Sequence, residues 1–301
     1  MKLAITGGTG FVGSHLIEAA LAAGHSLKAL ARRDQPPRDT VEWVAGSLED
    51  PGSLDRLVSG CESVIHAAGI INAPDAAAFE DGNVEGTRAM LDAAANAGGR
   101  RFVHVSSLAA REPTLSLYGA SKARSEALVE QSGLDWAIVR SPAVYGPGDK
   151  ETLELFRMAK LGLMLMPPSG RLSLIHAADL ARLLLALAAP GAPSASLVEP
   201  DDGKPGGWTH RQFGQALGVT VGKSPLILSA PSFLLRLGAR ADQLLRGPGA
   251  KLTPDRAAYF SHRDWVVEPG RAAPRDLWQP QIPTAEGLAD TANWYRRKGW
   301  L

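Results

Sequence analysis

MKLAITGGTGFVG, residues 1–13, is the stretch on which the fold turns. Leu3, Ala4 and Ile5 read as a short apolar strand, and Thr6 to Gly13 turn sharply into a helix expected to run to about Ala23. Gly7, Gly10 and Gly13 recur at every third position. A pyrophosphate needs close backbone approach and free N–H groups at a helix N-terminus. Gly7 suits the tight turn, Gly10 the close approach and Gly13 the packing of helix on strand. A glycine triplet alone says little. This one follows a strand and opens a helix, which is the context a dinucleotide loop requires.

Downstream of that loop, short apolar strands alternate with helices. Leu27–Ala31, Val41–Ala45, Val64–His66, Phe102–Val105 and Trp136–Val139 read as strands, and Asp50–Ser59, Asn83–Ala97 and Gly119–Gln131 as helices. The alternation argues an α/β fold, a Rossmann-type doubly wound parallel sheet. β-Branched strands without polar alternation fit burial on both faces. The fourth strand should end at His66 and the fifth at Ser107. After residue 149 the pattern loosens. Residues 1–149 are therefore the expected dinucleotide-binding core. Residues 150–301 should add the remaining sheet elements and a small substrate lobe, drawn from about 150–176 and 200–275. Ser173–Ile175 and Ser196–Val198 are expected strands, and Ala178–Ala188 and Ser232–Leu245 expected helices. Trp265, Trp278, Trp294 and Trp300 suggest a tail docked on the body.

Bulk composition removes several function classes. The chain has 301 residues, 45% of them apolar, enough for a sizeable core. Lys and Arg number 32 against 31 Asp and Glu, which gives no reason to expect nucleic acid or a charged membrane as partner. Cys61 is the single cysteine, so no intrachain disulfide and no thiolate metal cluster can form. The seven histidines show no HxH or HxxxH pair, and no metal is expected. Glycines interrupt the apolar start, unlike a signal peptide, and Leu180–Ala189 is too short to span a bilayer. A cytoplasmic protein acting on a small molecule is the expectation.

Tyr118 and Lys122 lie four residues apart, on one helical face. An ammonium so placed lowers the phenol pKa, and such a tyrosine can exchange a proton with a substrate oxygen. Ser107 stands at a strand's C-terminal end, where the crevice of an α/β sheet opens, and can hold the same oxygen. Ala67-Ala68-Gly69 closes the fourth strand with small residues on which a flat ring can lie. His66 reads as a packed strand residue rather than a ligand. Arg32 and Arg33 end the second strand, where an acid grips the ribose of NAD and an arginine accommodates a 2′-phosphate. They favour NADP over NAD, although Asp34 keeps NAD open. No GxSxG elbow supports a serine hydrolase.

The motifs together resemble the extended short-chain dehydrogenase/reductase superfamily, in particular the NAD-dependent epimerase/dehydratase family. TGGTGFVG, VIHAAG at 64–69, NVEGT at 83–87, FVHVSS at 102–107, YGASK at 118–122, VRSPAVYGPGD at 139–149 and SLIHAADLA at 173–181 follow the family's order over almost the whole chain. The closing TANWYRRKGWL resembles its terminal helix. The resemblance implies Ser107, Tyr118 and Lys122 as the catalytic group, with Asn83 shaping the site and Lys122 also holding the nicotinamide ribose. It implies a cofactor contact surface of Gly7, Gly10, Phe11, Val12, Gly13, Arg32, Arg33, Ser47, Leu48, Ala67, Ala68, Gly69, Tyr118, Lys122, Pro142 and Val144. Ser47 stands where relatives often carry an aspartate for the adenine amine, and Leu48 can cover one adenine face. It also implies a homodimer packed through the helices at 84–98 and 119–132.

Three functions follow as expectations. The first is an NAD(P)-dependent oxidoreductase interconverting a secondary alcohol and a ketone on a small or apolar substrate, with Leu161–Met166 and Phe233–Leu237 as cleft or core. The second is a nucleotide-sugar epimerase or dehydratase, with Arg171 and Arg182 as diphosphate anchors and Glu112 as an extra acid. The third is a non-catalytic dinucleotide-binding sensor or assembly subunit. The loop between Ser107 and Tyr118 has ten residues, short for a long nucleotide-sugar pose.

Overall fold

A computed structural model describes residues 1–247, 250 and 252–301. In chain order its elements are β1 (Lys2–Thr6), α1 (Phe11–Ala22), β2 (Ser26–Ala31), β3 (Val41–Ala45), α2 (Pro51–Val58), β4 (Ser63–His66), α3 (Ala76–Phe79), α4 (Gly86–Asn96), β5 (Arg101–Ser107), α5 (Leu117–Glu130), β6 (Trp136–Ser141) and β7 (Ala143–Tyr145). Then follow α6 (Leu153–Leu161), β8 (Leu163–Met166), β9 (Arg171–Leu172), β10 (Leu174–His176), α7 (Ala177–Ala188), β11 (Ser196–Val198), β12 (Trp208–Thr209), α8 (His210–Thr220), β13 (Leu226–Ser229), α9 (Ser232–Arg246), α10 (Pro254–Ser261), β14 (Asp264–Trp265) and α11 (Thr284–Arg297).

Seven parallel strands run in the order β11-β6-β5-β4-β1-β2-β3. Such strands must be covered on both faces. Leu16, Ile17 and Ala20 of α1 and the leucines of α7 bury one face, and α2, α4 and α5 bury the other through Leu54, Leu57, Met90, Leu91 and Val129. The order reverses between β4 and β1. A crevice therefore opens beyond the carboxyl ends of these strands, where open α/β sheets bind ligands. β4 ends at His66 and β5 at Ser107, as the sequence pattern predicts.

The remaining elements form small sheets beside this one. β9 lies between β12 and β14, β8 pairs with β13, and β10 pairs with β7. α11 closes their core with Leu288, Ala292 and Tyr295, and the Tyr295 hydroxyl donates to the Asp149 carbonyl at 2.5 Å. All four late tryptophans pack on the body, Trp278 donating its indole N–H to the Asp179 carbonyl at 3.1 Å.

Local differences from the sequence expectation have local causes. The helix expected from Asn83 begins at Ala76 and passes through a π-helical turn at Glu80–Glu85 that carries Asn83. The loop after Ser107 holds a 3₁₀ turn, Leu108–Arg111, capped when Ser107 Oγ accepts from Ala109 N. α5 starts at Leu117, because the Ser116 hydroxyl accepts from Gly119 N and fixes the first turn around Tyr118.

Candidate active site

The glycine loop is a cradle that any side chain would fill. Gly7 has φ +73°, and a Cβ on it would stand 2.7 Å from the Ala67 carbonyl carbon. A Cβ on Gly13 would stand 2.0 Å from the Gly7 oxygen. Gly10 caps α1 without a side-chain bond, so the first N–H groups of the helix, at Phe11, Val12 and Gly13, face the crevice mouth unclaimed by a cap. These features fit a pyrophosphate. His15 meets the Pro147 carbonyl at 2.8 Å and joins α1 to the segment after β7. In the preceding segment, Pro142 is buried and Val144 packs against the core below the loop.

β4, β5 and α5 bring the predicted catalytic residues together. Ser107 is buried at the end of β5, close enough to hydrogen-bond the Tyr118 phenol. Lys122 is buried one turn along α5 and donates to the Val105 carbonyl at 2.8 Å. Asn83 Oδ1 accepts from Ile70 N at 2.8 Å, and Nδ2 donates to the Ile70 carbonyl and to Ser121 Oγ. Asn83 thus bolts the segment that follows Ala67, Ala68 and Gly69 to α5, the helix that carries Tyr118 and Lys122.

The electrostatics correct one expectation. Burial raises the Tyr118 pKa above its ordinary value, and only the Ser107 hydrogen bond pulls it down. Lys122 does not offset that burial; its ammonium donates to the Val105 carbonyl, and burial lowers its own pKa to about 8, with Glu126 opposing. Tyr118 is accordingly protonated at neutral pH, the state in which a phenol donates a proton.

His66 is the packed strand residue that the sequence suggests, but its partners and several other groups that hold this cluster were passed over in the sequence reading. Ala68 N donates to Thr6 Oγ1, Thr6 meets His66 Nδ1 at 2.7 Å, His66 Nε2 meets Thr87 Oγ1, and Thr87 donates to the Asn83 carbonyl. The bond directions assign a neutral His66 with its proton on Nε2. Burial lowers its pKa to about 3, with the Lys122 charge adding to the effect, and His104, stacked on it, is lowered likewise. Behind Lys122, Glu126 accepts from Ser106 and Arg140, and Arg140 also reaches Glu199. Arg111 completes the chain, bonding Glu199 at 3.3 Å and the Val266 carbonyl at 2.8 Å. These partners are 14 to 155 residues apart, so no local motif announces them.

At the adenosine end, Arg32 and Arg33 are both exposed beyond β2. Arg33 lines a surface groove with Asp34, Gln35, Trp43 and Ala45. Glu49 lies below its ordinary pKa chiefly through a hydrogen bond from Ser47, with Arg32 contributing at longer range. The Ser47 hydroxyl donates to Glu49, which leaves its oxygen able to accept a further hydrogen bond. Leu48 lies over Gly86, where a Cβ would come within 2.6 Å of it.

One side of Tyr118 is apolar. Leu108, Ala109 and Trp265 form a buried cluster against which Leu115, Tyr118, Leu172, Tyr259 and Val267 pack. The Tyr259 ring stands edge-on to Tyr118 at 6.4 Å. Neither apolar segment chosen from the sequence forms this wall. Met164 and Met166 are core, while Leu161, Leu163, Leu165, Phe233, Leu234 and Leu237 face outward. The diphosphate anchors are engaged elsewhere. Arg171 donates to the Gly206 and Gly207 carbonyls, and Arg182 pairs with Asp179, which also accepts from Gln281 and Ile282 N–H groups. Glu112 is half-buried in the turn before Tyr118. Among the described residues no His, Cys, Asp and Glu grouping suits a metal ion, and no helix is long and apolar enough to cross a membrane.

A switch-point phosphate cradle beside a Ser–Tyr–Lys cluster defines a nicotinamide-dinucleotide-dependent reductase or epimerase. The model of the NAD dependent epimerase/dehydratase family matches residues 3–196, and the chain belongs to that family. It is 38% identical over 308 residues to a ceramide reductase of Caulobacter vibrioides, covering 99% of this chain and 96% of that one. It is 31% identical over 232 residues to a 4-hydroxy-2-methyl-3-oxo-4-farnesyl-3,4-dihydroquinoline-1-oxide ketoreductase of Stigmatella aurantiaca, covering 68% and 69%. The crystal structure of gox2253 shares the fold, with a TM-score of 0.79 at 23% identity over 100% of this chain and 99% of that one.

Proposed function

We propose that the protein reduces a ketone carbonyl on a lipid-like substrate of the ceramide type, using NADPH in preference to NADH. The observation that carries this reading is the aromatic and aliphatic wall packed on Tyr118. The two relatives, named for a ceramide and for a farnesylated ring, support a hydrophobic substrate. Engagement of Arg171 and Arg182 in the fold speaks against the nucleotide-sugar alternative.

The dinucleotide, when bound, supplies a hydride for the carbonyl carbon. Ser107 donates a hydrogen bond to the carbonyl oxygen, and Tyr118 passes its phenolic proton to the same oxygen as charge develops there. The C=O double bond becomes a C–H and an O–H bond. Lys122, fixed on the Val105 carbonyl, holds the nicotinamide ribose and carries positive charge toward the phenolate left behind. Burial that keeps Tyr118 protonated favours the reducing direction.

The test is turnover of NADPH and NADH with a detergent-dispersed N-acyl long-chain amino ketone, beside UDP-glucose. Consumption of reduced cofactor with the lipid alone is expected, whereas turnover of the nucleotide sugar alone would reverse the assignment.

The cofactor preference rests on Arg32 as the main donor to the 2′-phosphate and Arg33 as the second. Losing one charged hydrogen bond costs about tenfold or more in affinity. Titration should show Arg32→Ala binding NADPH about tenfold more weakly with NADH affinity unchanged. Equal affinities in wild type that persist in the variant would hand the choice to Asp34 or Glu49.

We further propose a homodimer through α4 and α5. Ala120, Ala123 and Ala127 form a half-exposed stripe of small residues on α5, which permits close helix approach. Light scattering at micromolar concentration should give twice the chain mass, and a monomeric mass throughout would reject this interface.

A further inference from the structure

α9 is amphipathic the wrong way round for a helix that only covers a core. At 3.6 residues per turn, Phe233, Leu237 and Leu244 share one line along it, and Leu234, Ala241 and Leu245 the next. This face points to solvent: Phe233 is 61% exposed, Leu244 87% and Leu245 86%. The opposite face is the one engaged by the protein, through buried Ala239 and through Asp242, which bonds Leu252 N and Arg246. Arg236 and Arg240 are exposed on the flank of the apolar face, and neither has a carboxylate partner among the described residues. The helix follows directly on β13, whose ribbon with β8 also turns leucines outward. Leu163 pairs with Leu226 and Leu165 with Leu228, all four exposed, while Met164 and Ile227 are buried behind them.

We infer that the α9 face, extended by the β8–β13 ribbon, docks the enzyme on an anionic lipid surface. Three observations select a bilayer over other occupants. The exposed face joins large aliphatic and aromatic side chains to flanking arginines, the arrangement that places an apolar stripe among acyl chains and cations among phosphates. α9 packs on α10, whose Tyr259 ring meets Tyr118 and whose Asp255 accepts from Leu117 N at 2.5 Å. The docking helix therefore packs on the helix that supplies the wall of the candidate active site, so a membrane at α9 lies one helix away from Tyr118. Finally, the near-neutral whole-chain charge, which suggested no membrane partner, does not describe this face, where the free charges are arginines. The purpose of the surface rests on the lipid-ketone reading. Its geometry does not.

The test is co-sedimentation of the full chain, without substrate, with vesicles of phosphatidylethanolamine and phosphatidylglycerol, and with vesicles of phosphatidylcholine. Binding to the anionic vesicles, weakened by salt, is expected. Each arginine near a charged surface contributes about fivefold to partitioning, so Arg236→Gln with Arg240→Gln should weaken binding about 30-fold. Leu237→Glu with Leu244→Glu should abolish it. Both double variants should keep wild-type reduction of the detergent-dispersed ketone, which shows that they fold. A parent chain that stays in the supernatant, or variants that bind as the parent does, would overturn the inference. So would a dimer, seen without vesicles, that the leucine variant splits, because a second copy would then cover the face. The vesicle arm fails alone if the docking inference is wrong, and the turnover arm fails alone if the lipid-ketone reading is wrong.

Discussion

Tyr118→Phe should lower the rate of single-turnover ketone reduction by about 10²–10⁴-fold, the usual contribution of a positioned proton donor. Cofactor affinity should stay close to wild type, because the proposed role of the phenol is toward the substrate oxygen and the cradle is built by Gly7, Gly10 and Gly13. The ring remains, so its contacts with Phe79 and Tyr259 are kept and the variant should fold. In the alcohol-oxidising direction the tyrosine must first lose its proton. Burial raises the pKa for that loss, so the oxidation rate should climb with pH on the alkaline side and the climb should vanish in Tyr118→Phe. A wild-type rate in the variant across pH would move the proton to another group, His176 or a bound water.

Lys122→Met should damage both cofactor affinity and rate, since one ammonium serves the ribose and the phenolate. A second readout is independent of turnover. Burial lowers the Lys122 pKa from 10.5 to about 8. Between these values the unfolded chain holds a proton at this position that the folded chain has lost, so wild-type stability rises with pH across the window. Below about pH 8 both states are protonated and the cost of the buried charge is constant. The stability of wild type relative to Lys122→Met should therefore increase by about 3 kcal/mol between pH 8 and 10.5. Urea unfolding at a series of pH values measures it, and a constant difference would mean that Lys122 is not a buried, strained charge.

What the sequence made legible was local. Strand ends at His66 and Ser107, the glycine turn and the Tyr118–Lys122 spacing are each set within about ten residues, by periodicity or by steric demands on glycine. Asn83 was legible through family likeness as a residue that shapes the site, but its bonding partners were not. The π-helical turn that aims it at Ile70 and Ser121 depends on contacts 13 and 38 residues away. The Glu126–Arg140–Glu199–Arg111 chain is legible only once β5, β6 and β11 lie side by side. Each of its charges, read singly, resembles a solvated surface group. The substrate wall failed for a related reason: apolar composition alone cannot separate core from cleft from outward face. Met164 and Leu163 are neighbours in sequence and point to opposite sides of one strand. The Tyr118 pKa was misjudged because spacing places Lys122 on the same helical face but cannot reveal that burial dominates the phenol's environment.

The measurement that bears most directly on the central claim is isotope transfer from reduced cofactor deuterated at nicotinamide C4, taken with both faces labelled. Incubated with the N-acyl amino ketone, it should yield an alcohol carrying one deuterium on the carbinol carbon, with one oxidised cofactor formed per product. Recovery of the lipid ketone unlabelled, with deuterium retained on the cofactor, or an inverted nucleotide sugar formed with no net cofactor oxidation, would contradict it.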